Sequence, residues 1–304
     1  MEKKNHSFKN TIVGALAGCG AVTVSNPFDC AKTRLQLQGE LVKTGTYQKV
    51  FNGVFDTVIK TARHEGIFAI QKGLVPAYWV QAIMNGIRFE VYETAKKLRS
   101  PESRNNTFIN FGCGTAGGFI GTVVSSPFQL IKTRQQSKSY ANITRHVYDY
   151  TGTWDALVKI YKAEGVKGLY HGAFVSGIRT AIGGAIQLSF YDKYKYMAKK
   201  YLHMQDGFGL FLVASISATL TNCIVESPMD VVSTRIFQQR YGQKGGELYS
   251  GPLDCVVKTV KIEGISGLYK GFSAICARLV PHSIIFLLLS EVLKEKIFIE
   301  SITM

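Results

Sequence analysis

One unit is written three times along this chain. PFDCAKTR begins at Pro27, PFQLIKTR at Pro127 and PMDVVSTR at Pro228, at intervals of 100 and 101 residues. A second motif keeps an interval of 99, with EGIFAIQKG at Glu65, EGVKGLYHG at Glu164 and EGISGLYKG at Glu263. Between them an aromatic-x-Gly-x-x-Asp pattern starts at Phe51, Tyr150 and Tyr249, with Lys60, Lys159 and Lys258 in register. YETAK at Tyr92, YDKYK at Tyr191 and SEVLK at Ser290 close the units. A repeat of this period decides the architecture before any local propensity does. It divides the chain into 1–100, 101–201 and 202–304, three copies that can close together around one axis.

The units are apolar enough to live in lipid. Thr11 to Phe28, Thr107 to Ile131 and Gly207 to Val225 contain no Asp, Glu, Lys or Arg, and a bilayer-spanning helix needs about 20 such residues. Shorter apolar stretches begin near Gly73, Ala173 and Ala274, each with one Arg. An arginine in hydrocarbon costs about 2.5 kcal/mol or more, so these must face protein or water. Each unit therefore reads as an apolar helix, a polar loop with a short amphipathic helix, and a second apolar helix. The expectation is an all-α membrane protein of six transmembrane helices in three pseudo-symmetric repeats, with three short helices, around a central cavity. Small residues four apart (Gly14 and Gly18, Gly114 and Gly118, Ser215 and Thr219) suit close helix approach. Pro27, Pro127 and Pro228 are expected to bend or break the first helices.

Composition excludes other classes. A net charge of +15 could suit nucleic acid, but no aromatic-interleaved binding motif accompanies it; anionic lipid and anionic cargo fit instead. Six cysteines show no CxxC pair, so neither a zinc site nor a disulfide framework is suggested. No cofactor, metal ligand set or catalytic constellation is read: His64-Glu65 lacks a second histidine, and neither a nucleophile elbow nor a phosphate loop occurs. The N-terminal MEKKNHSFKN matches neither a secretory signal nor an arginine-rich transit peptide, so any targeting signal is expected to be internal.

Three copies of Pro-x-acid-x-x-base-x-base, followed by acid-Gly and aromatic-base-Gly, resemble the mitochondrial carrier family over essentially the whole chain. The resemblance implies a multi-pass protein of the mitochondrial inner membrane that transports a solute by alternating access and is not an enzyme. It also implies three short helices on the matrix side. On the matrix side it implies ion pairs of Asp29 with Lys132 and of Asp230 with Lys32, and a third contact of Gln129 with Ser233, where both expected charges are missing. Gln36 and Gln136 stand where the family braces such pairs, and Phe237 replaces the third glutamine. On the cytoplasmic side it implies pairs of Glu93 with Lys195, Asp192 with Lys294, and Glu291 with Lys96. Exposed ion pairs contribute about 0 to 1 kcal/mol each, so neither gate would be locked. Helix starts near Gly53, Gly73, Gly152, Gly172, Gly251 and Gly271 would offer free N–H groups to lipid phosphates, cardiolipin by resemblance.

Cargo is small and asymmetric, so its contacts should fall where the three units differ. Stepping along the second helices gives Val80, Met84 and Arg88, then Arg179, Gly183 and Gln187, then Arg278, His282 and Phe286. Few acids share those helices, so a water-filled cavity lined by Arg88, Arg179 and Arg278 accounts for the arginines, whose guanidinium forks suit carboxylates. Arg179 with Thr180 resembles the arginine-polar pair of the family's carboxylate and keto-acid carriers. The segments at Ala77, Leu248 and Ala277 resemble its fungal oxaloacetate-carrying branch, which is associated with oxaloacetate, sulfate, malonate and isopropylmalate and with proton coupling. Gln81 and Asn85 suit either cargo or helix-to-helix hydrogen bonds. His282 suits either proton uptake or a structural hydrogen bond. Glu226, opposite neutral Ser25 and Ser125 in the other units, could carry a proton or pair with a cavity arginine. Another dicarboxylate or phosphate carrier, or an uncoupling-type proton leak, remains an alternative, as does exchange against symport; a monomer suffices for one cavity.

Overall fold

The computed structural model describes residues 2–43, 46–97, 107–144, 146–205, 207–242 and 245–299. Each repeat folds as long helix, short helix, long helix. The first holds α1 (Glu2–Leu37), α2 (Val54–Glu65) and α3 (Leu74–Lys97). The second holds α4 (Thr107–Ser137), α5 (Thr153–Leu169) and α6 (Ala173–Leu202), and the third α7 (Phe208–Gln238), α8 (Pro252–Glu263) and α9 (Phe272–Ile299). The third repeat adds a two-rung antiparallel ladder of β1 (Tyr241–Gly242) with β2 (Gly245–Gly246), a small departure from an all-α chain. Each long helix packs on the next in sequence, and α9 returns to α1, so the six close into a ring.

The shortest long helix, α3, has 24 residues. At 1.5 Å per residue that is about 36 Å, against a hydrocarbon thickness of about 30 Å. Thr11–Leu37, Gly209–Gln238 and Ile265–Leu293 are both long and apolar enough to cross a membrane. The helices α3, α4 and α6 also have that length; Gln81, Asn85, Arg88, Arg179 and Gln187 interrupt the apolar sequence of α3 and α6 and line the interior of the ring, as do Gln129 and Lys132 near the end of α4.

Pro27, Pro127 and Pro228 do not break their helices, which run on to Leu37, Ser137 and Gln238. At Pro27 the reason is visible. A proline cannot donate to the carbonyl four residues earlier, and the Gln71 side chain donates to that carbonyl, Thr23 O, at 3.1 Å. The close approach of α4 to α3 also uses other glycines than expected. A Cβ on Gly117 or Gly121 would lie 3.1–3.2 Å from the Arg88 or Met84 backbone, whereas Gly114 faces open space.

The acid-Gly and base-Gly motifs are backbone requirements. Gly66, Gly165 and Gly264 have φ of 89°, 69° and 78°, and Gly73, Gly172 and Gly271 have 77°, 89° and 74°, values that only glycine adopts cheaply. The first set redirects the chain after α2 and α8 and kinks α5 at Gly165, and the second starts each second long helix. The aspartates of the aromatic motif close the short helices' first turns: Asp56, Asp155 and Asp254 accept from the backbone N–H of Asn52, Thr151 and Ser250 at 2.9–3.0 Å. Lys60, Lys159 and Lys258 then pair with those aspartates one turn on. Phe55, Ile59, Trp154, Val158, Leu253 and Val257 all remain exposed on the short helices, an apolar pair one turn apart on each.

Candidate functional site

A cavity of about 500 Å³ occupies the centre of the ring, lined from α1, α3, α4, α6, α7 and α9. Five cationic side chains (Lys32, Arg88, Lys132, Arg179, Arg278) and three carboxylates (Asp29, Glu226, Asp230) line it, an excess of two positive charges. Charges held in such a concavity act through a lower effective dielectric than water, which strengthens them.

The floor of the cavity is an ionic network. Asp29 pairs with Lys132, and Lys32 with Asp230 at 2.9 Å. The Lys32 ammonium also lies 3.7 Å from Asp29, so one cation spans both carboxylates. Gln136 donates to Asp29 at 3.2 Å and Gln36 to Asp230 at 2.8 Å. The third expected contact is absent. Gln129 donates to Ser125 and to the Thr122 carbonyl and accepts from Ser176 at 2.7 Å, while the Ser233 hydroxyl is buried without a partner. Neither side chain carries charge, so nothing draws Gln129 off its local hydrogen bonds.

The cavity arginines are not without acids, contrary to the count along their own helices. Their partners come from neighbouring helices: Arg179 meets Glu226 at 2.5 Å and lies 3.6 Å from Asp230, and Arg278 Nε lies 3.3 Å from Asp29. Arg88 has no acidic partner among the described residues and reaches toward Gly184. Thr180 lines the cavity while donating to the Ser176 carbonyl. Asn85 donates to the Gly14 carbonyl at 3.3 Å, which ties α3 to α1, and to Gln81 one turn back on its own helix at 3.4 Å. His282 Nδ1 sits 3.2 Å from the Ser25 hydroxyl, again across helices.

At the opposite end, the side chains of Glu93, Lys96 and Lys294 lie outside the described residues, one from each expected pair. Asp192 and Glu291 are exposed and Lys195 is half-buried.

The sequence reading missed one set of residues. Arg34, Arg134 and Arg235 are fully buried and grip the acid-Gly glutamates with both guanidinium nitrogens: Glu65 at 2.7 and 2.9 Å, Glu164 at 2.5 and 2.9 Å, and Glu263 at 2.7 and 2.9 Å. Each ties a first long helix to the short helix of its own repeat. The signal was present, since the last Arg of the first motif and the Glu of the second recur in all three units. At Glu65, withdrawal from water works to raise the carboxyl, but Arg34 and Lys72 outweigh it and hold it at about 2.

The lipid-site glycines fall into two kinds. Gly53, Gly152 and Gly251 start the short helices in extended conformation, with open space beside them. Gly73, Gly172 and Gly271 press against the following repeat, where a Cβ would lie 3.1 Å from the Lys132 carbonyl, 3.0 Å from Phe237 and 3.2 Å from Gln36.

Three consecutive stretches, 3–102, 103–202 and 205–301, match the family described as mitochondrial carrier protein. The chain is 40% identical over 298 residues to the mitochondrial oxaloacetate transport protein of Saccharomyces cerevisiae, covering 95% of this chain and 90% of that one. It is 38% identical to mitochondrial citrate transporter E of Aspergillus niger (92% and 90% covered) and 34% identical to solute carrier family 25 member 35 of Homo sapiens (93% and 97% covered). With three tandem matches, a closed ring of six long helices and a charged central cavity, the chain belongs to the mitochondrial carrier family and is a transport protein of the mitochondrial membrane, not an enzyme.

Proposed function

We propose that this carrier moves small divalent anions across the mitochondrial inner membrane, oxaloacetate foremost, with sulfate, malonate and isopropylmalate as companions. The observation that carries this reading is the excess of two positive charges among the residues lining one central cavity, the complement of a dianion. Arg88, Arg179 and Arg278 supply the carboxylate or sulfate contacts, and Thr180, Gln81, Asn85 and His282 shape the remainder. The names of the yeast and Aspergillus relatives, an oxaloacetate and a citrate transporter, point to small carboxylates.

In this reading all six long helices cross the membrane, and α2, α5 and α8 lie on its matrix face with their exposed apolar pairs in the lipid. Asp29, Lys32, Lys132, Asp230, Gln36, Gln136, Gln129 and Ser233 form the matrix gate. Glu93 with Lys195, Asp192 with Lys294 and Glu291 with Lys96 form the cytoplasmic gate. The helix starts at Gly53, Gly152 and Gly251, with Gly73, Gly172 and Gly271, hold cardiolipin phosphates, and a monomer is the working unit. Cargo entering from the open side competes for the cations of the floor, and the two closed forms then exchange, either against a second anion or with a proton.

The test is uptake by the purified full chain in liposomes. Saturable uptake of labelled oxaloacetate or sulfate that Arg179→Ala abolishes is the expected result. Indifference to dianions together with nucleotide-blocked proton leak would instead place the chain with the uncoupling proteins.

A further inference from the structure

The third repeat holds a buried acid that the other two lack. Glu226 corresponds to Ser25 and Ser125, and Asn222, one turn before it, to Ala21 and Gly121. Glu226 Oε1 lies 2.5 Å from Arg179 Nη1, and Oε2 accepts from Asn222 Nδ2 at 3.2 Å. Gly183 leaves the facing wall without a side chain, its absent Cβ falling 3.5 Å from the Glu226 carboxyl. The carboxylate thus occupies the guanidinium that the proposed cargo would use.

Two groups beside this pair are left incomplete. Among the described residues, buried Arg179 Nε has no acceptor and buried Asn222 Oδ1 no donor. A buried polar atom without a partner costs about 1–3 kcal/mol, so both atoms favour any state that completes them. Protonating Glu226 gives it an O–H, which Asn222 accepts through Oδ1 once its amide turns over. The same event frees Arg179 Nη1, so that Nε and the Nη groups present a bidentate edge to an incoming carboxylate or sulfate.

Resting on the dianion reading, the geometry points to Glu226 as a built-in counter-anion that occupies Arg179 in the empty cavity and yields it, by taking up one proton, when cargo enters. Glu226 carboxylate, one proton from the water of the open side and one dianion become a neutral Glu226 acid and an Arg179–dianion pair. On the far side the dianion leaves, the proton returns to water and the carboxylate closes on Arg179 again. One proton therefore travels with each dianion.

The other charged and titratable groups of the cavity can be set against this assignment. Arg88 faces the space from α3, Arg278 and His282 from α9, Lys132 from α4, Asp29 and Lys32 from α1, and Asp230 from α7 itself. Asp29 and Asp230 are shared by Lys132, Lys32 and Arg278 in the floor network, so neither is released by losing one partner. His282 is held by Ser25. Among the described carboxylates of the cavity, Glu226 is the one whose ion pair is with an arginine alone.

Sulfate is the probe, because its own charge does not change near neutral pH. Liposomes carrying the full chain are loaded with a trapped pH dye, and labelled sulfate is offered with the outside progressively acidified. For the wild type, uptake rises by up to about tenfold per pH unit, the limit for one titrating group, and the lumen acidifies by one proton per sulfate. For Glu226→Gln, sulfate uptake no longer responds to pH and the lumen stays at its starting pH, while Glu226→Asp keeps the response. If Glu226→Gln moves too little sulfate to read, sulfate-induced thermal stabilisation replaces uptake: it strengthens on acidification in the wild type and is flat in the variant. A Glu226→Gln carrier that keeps acid-driven uptake or lumen acidification, or the wild type's pH-dependent stabilisation, overturns the assignment, as does a wild type that takes sulfate at a pH-independent rate. A wild type that takes no dianion at all overturns the dianion reading itself.

Discussion

Gln129 accepts a hydrogen bond from the Ser176 hydroxyl at 2.7 Å and makes none to Ser233, whose own hydroxyl is buried and unpartnered. The floor network is therefore ionic between α1 and α4 and between α1 and α7, and uncharged between α4 and α7.

Gln129→Asp with Ser233→Lys should complete the network. Each single substitution leaves a charge without its partner and lowers the melting temperature, whereas the pair recovers it, with a coupling of about 0.5–3 kcal/mol. Because the added bridge favours the form with a closed floor, exchange in liposomes should slow in the double variant. A double variant no more stable than the sum of its singles would show that these positions do not meet.

Glu65→Gln should destabilise the carrier by about 3–5 kcal/mol, because fully buried Arg34 loses the anion that compensates it. The sign against pH follows from Glu65 being held at about 2. A carboxyl lowered in the folded state contributes above its unfolded range of about 4.3 and loses that contribution as pH falls toward 2. Melting curves of wild type and variant should thus differ at neutral pH and converge on acidification.

Much of this was legible in the sequence, and the pattern of what was not is physical. The repeat pointed to six long helices, three short ones and room for a central cavity, and the resemblance to the carrier family implied the Asp29 contact with Lys132 and the Lys32 contact with Asp230. Partners across helices were harder. Counting acids along α9 hid Asp29 beside Arg278, and left the pairing of Glu226 with a cavity arginine as one of two open readings, because pairing in a ring runs between neighbours. From sequence alone Pro27 is expected to bend or break its helix, because the substitute donor to the Thr23 carbonyl, Gln71, is distant in sequence. The close α3–α4 contact at Gly117 and Gly121, rather than at Gly114, depends on which face of α4 turns outward, and small-residue spacing does not encode that.

Glycine substitutions should separate strain from space. Gly66→Ala places a side chain at φ 89° with nothing nearby and should cost about 1–2 kcal/mol. Gly73→Ala adds to similar strain a Cβ 3.1 Å from the Lys132 carbonyl, so it should cost more and impair uptake as well. Equal thermal losses at the two positions would mean that the contact at Gly73 relaxes freely.

Glu40 offers the opposite pH signature to Glu65. Loss of hydration raises its carboxyl above the ordinary range, against the pull of Arg235 and the Tyr249 hydroxyl that donates to it at 2.9 Å. A raised acid penalises the fold as pH climbs through its folded value and costs nothing below its unfolded one. Glu40→Gln should therefore raise the melting temperature in neutral and alkaline buffer and leave it unchanged in acid. An equal change at every pH would trace the effect to packing instead of charge.

The seats of Gly73 on the Lys132 turn, of Gly172 on Phe237 and of Gly271 on the Gln36 turn form a closed chain of three leanings, each repeat propped against the next. In such a tripod no leg can swing out while its neighbours stand. A disturbance felt at one carboxylate of the floor is handed around the whole circle, and the molecule is built to yield as a unit or to stay shut.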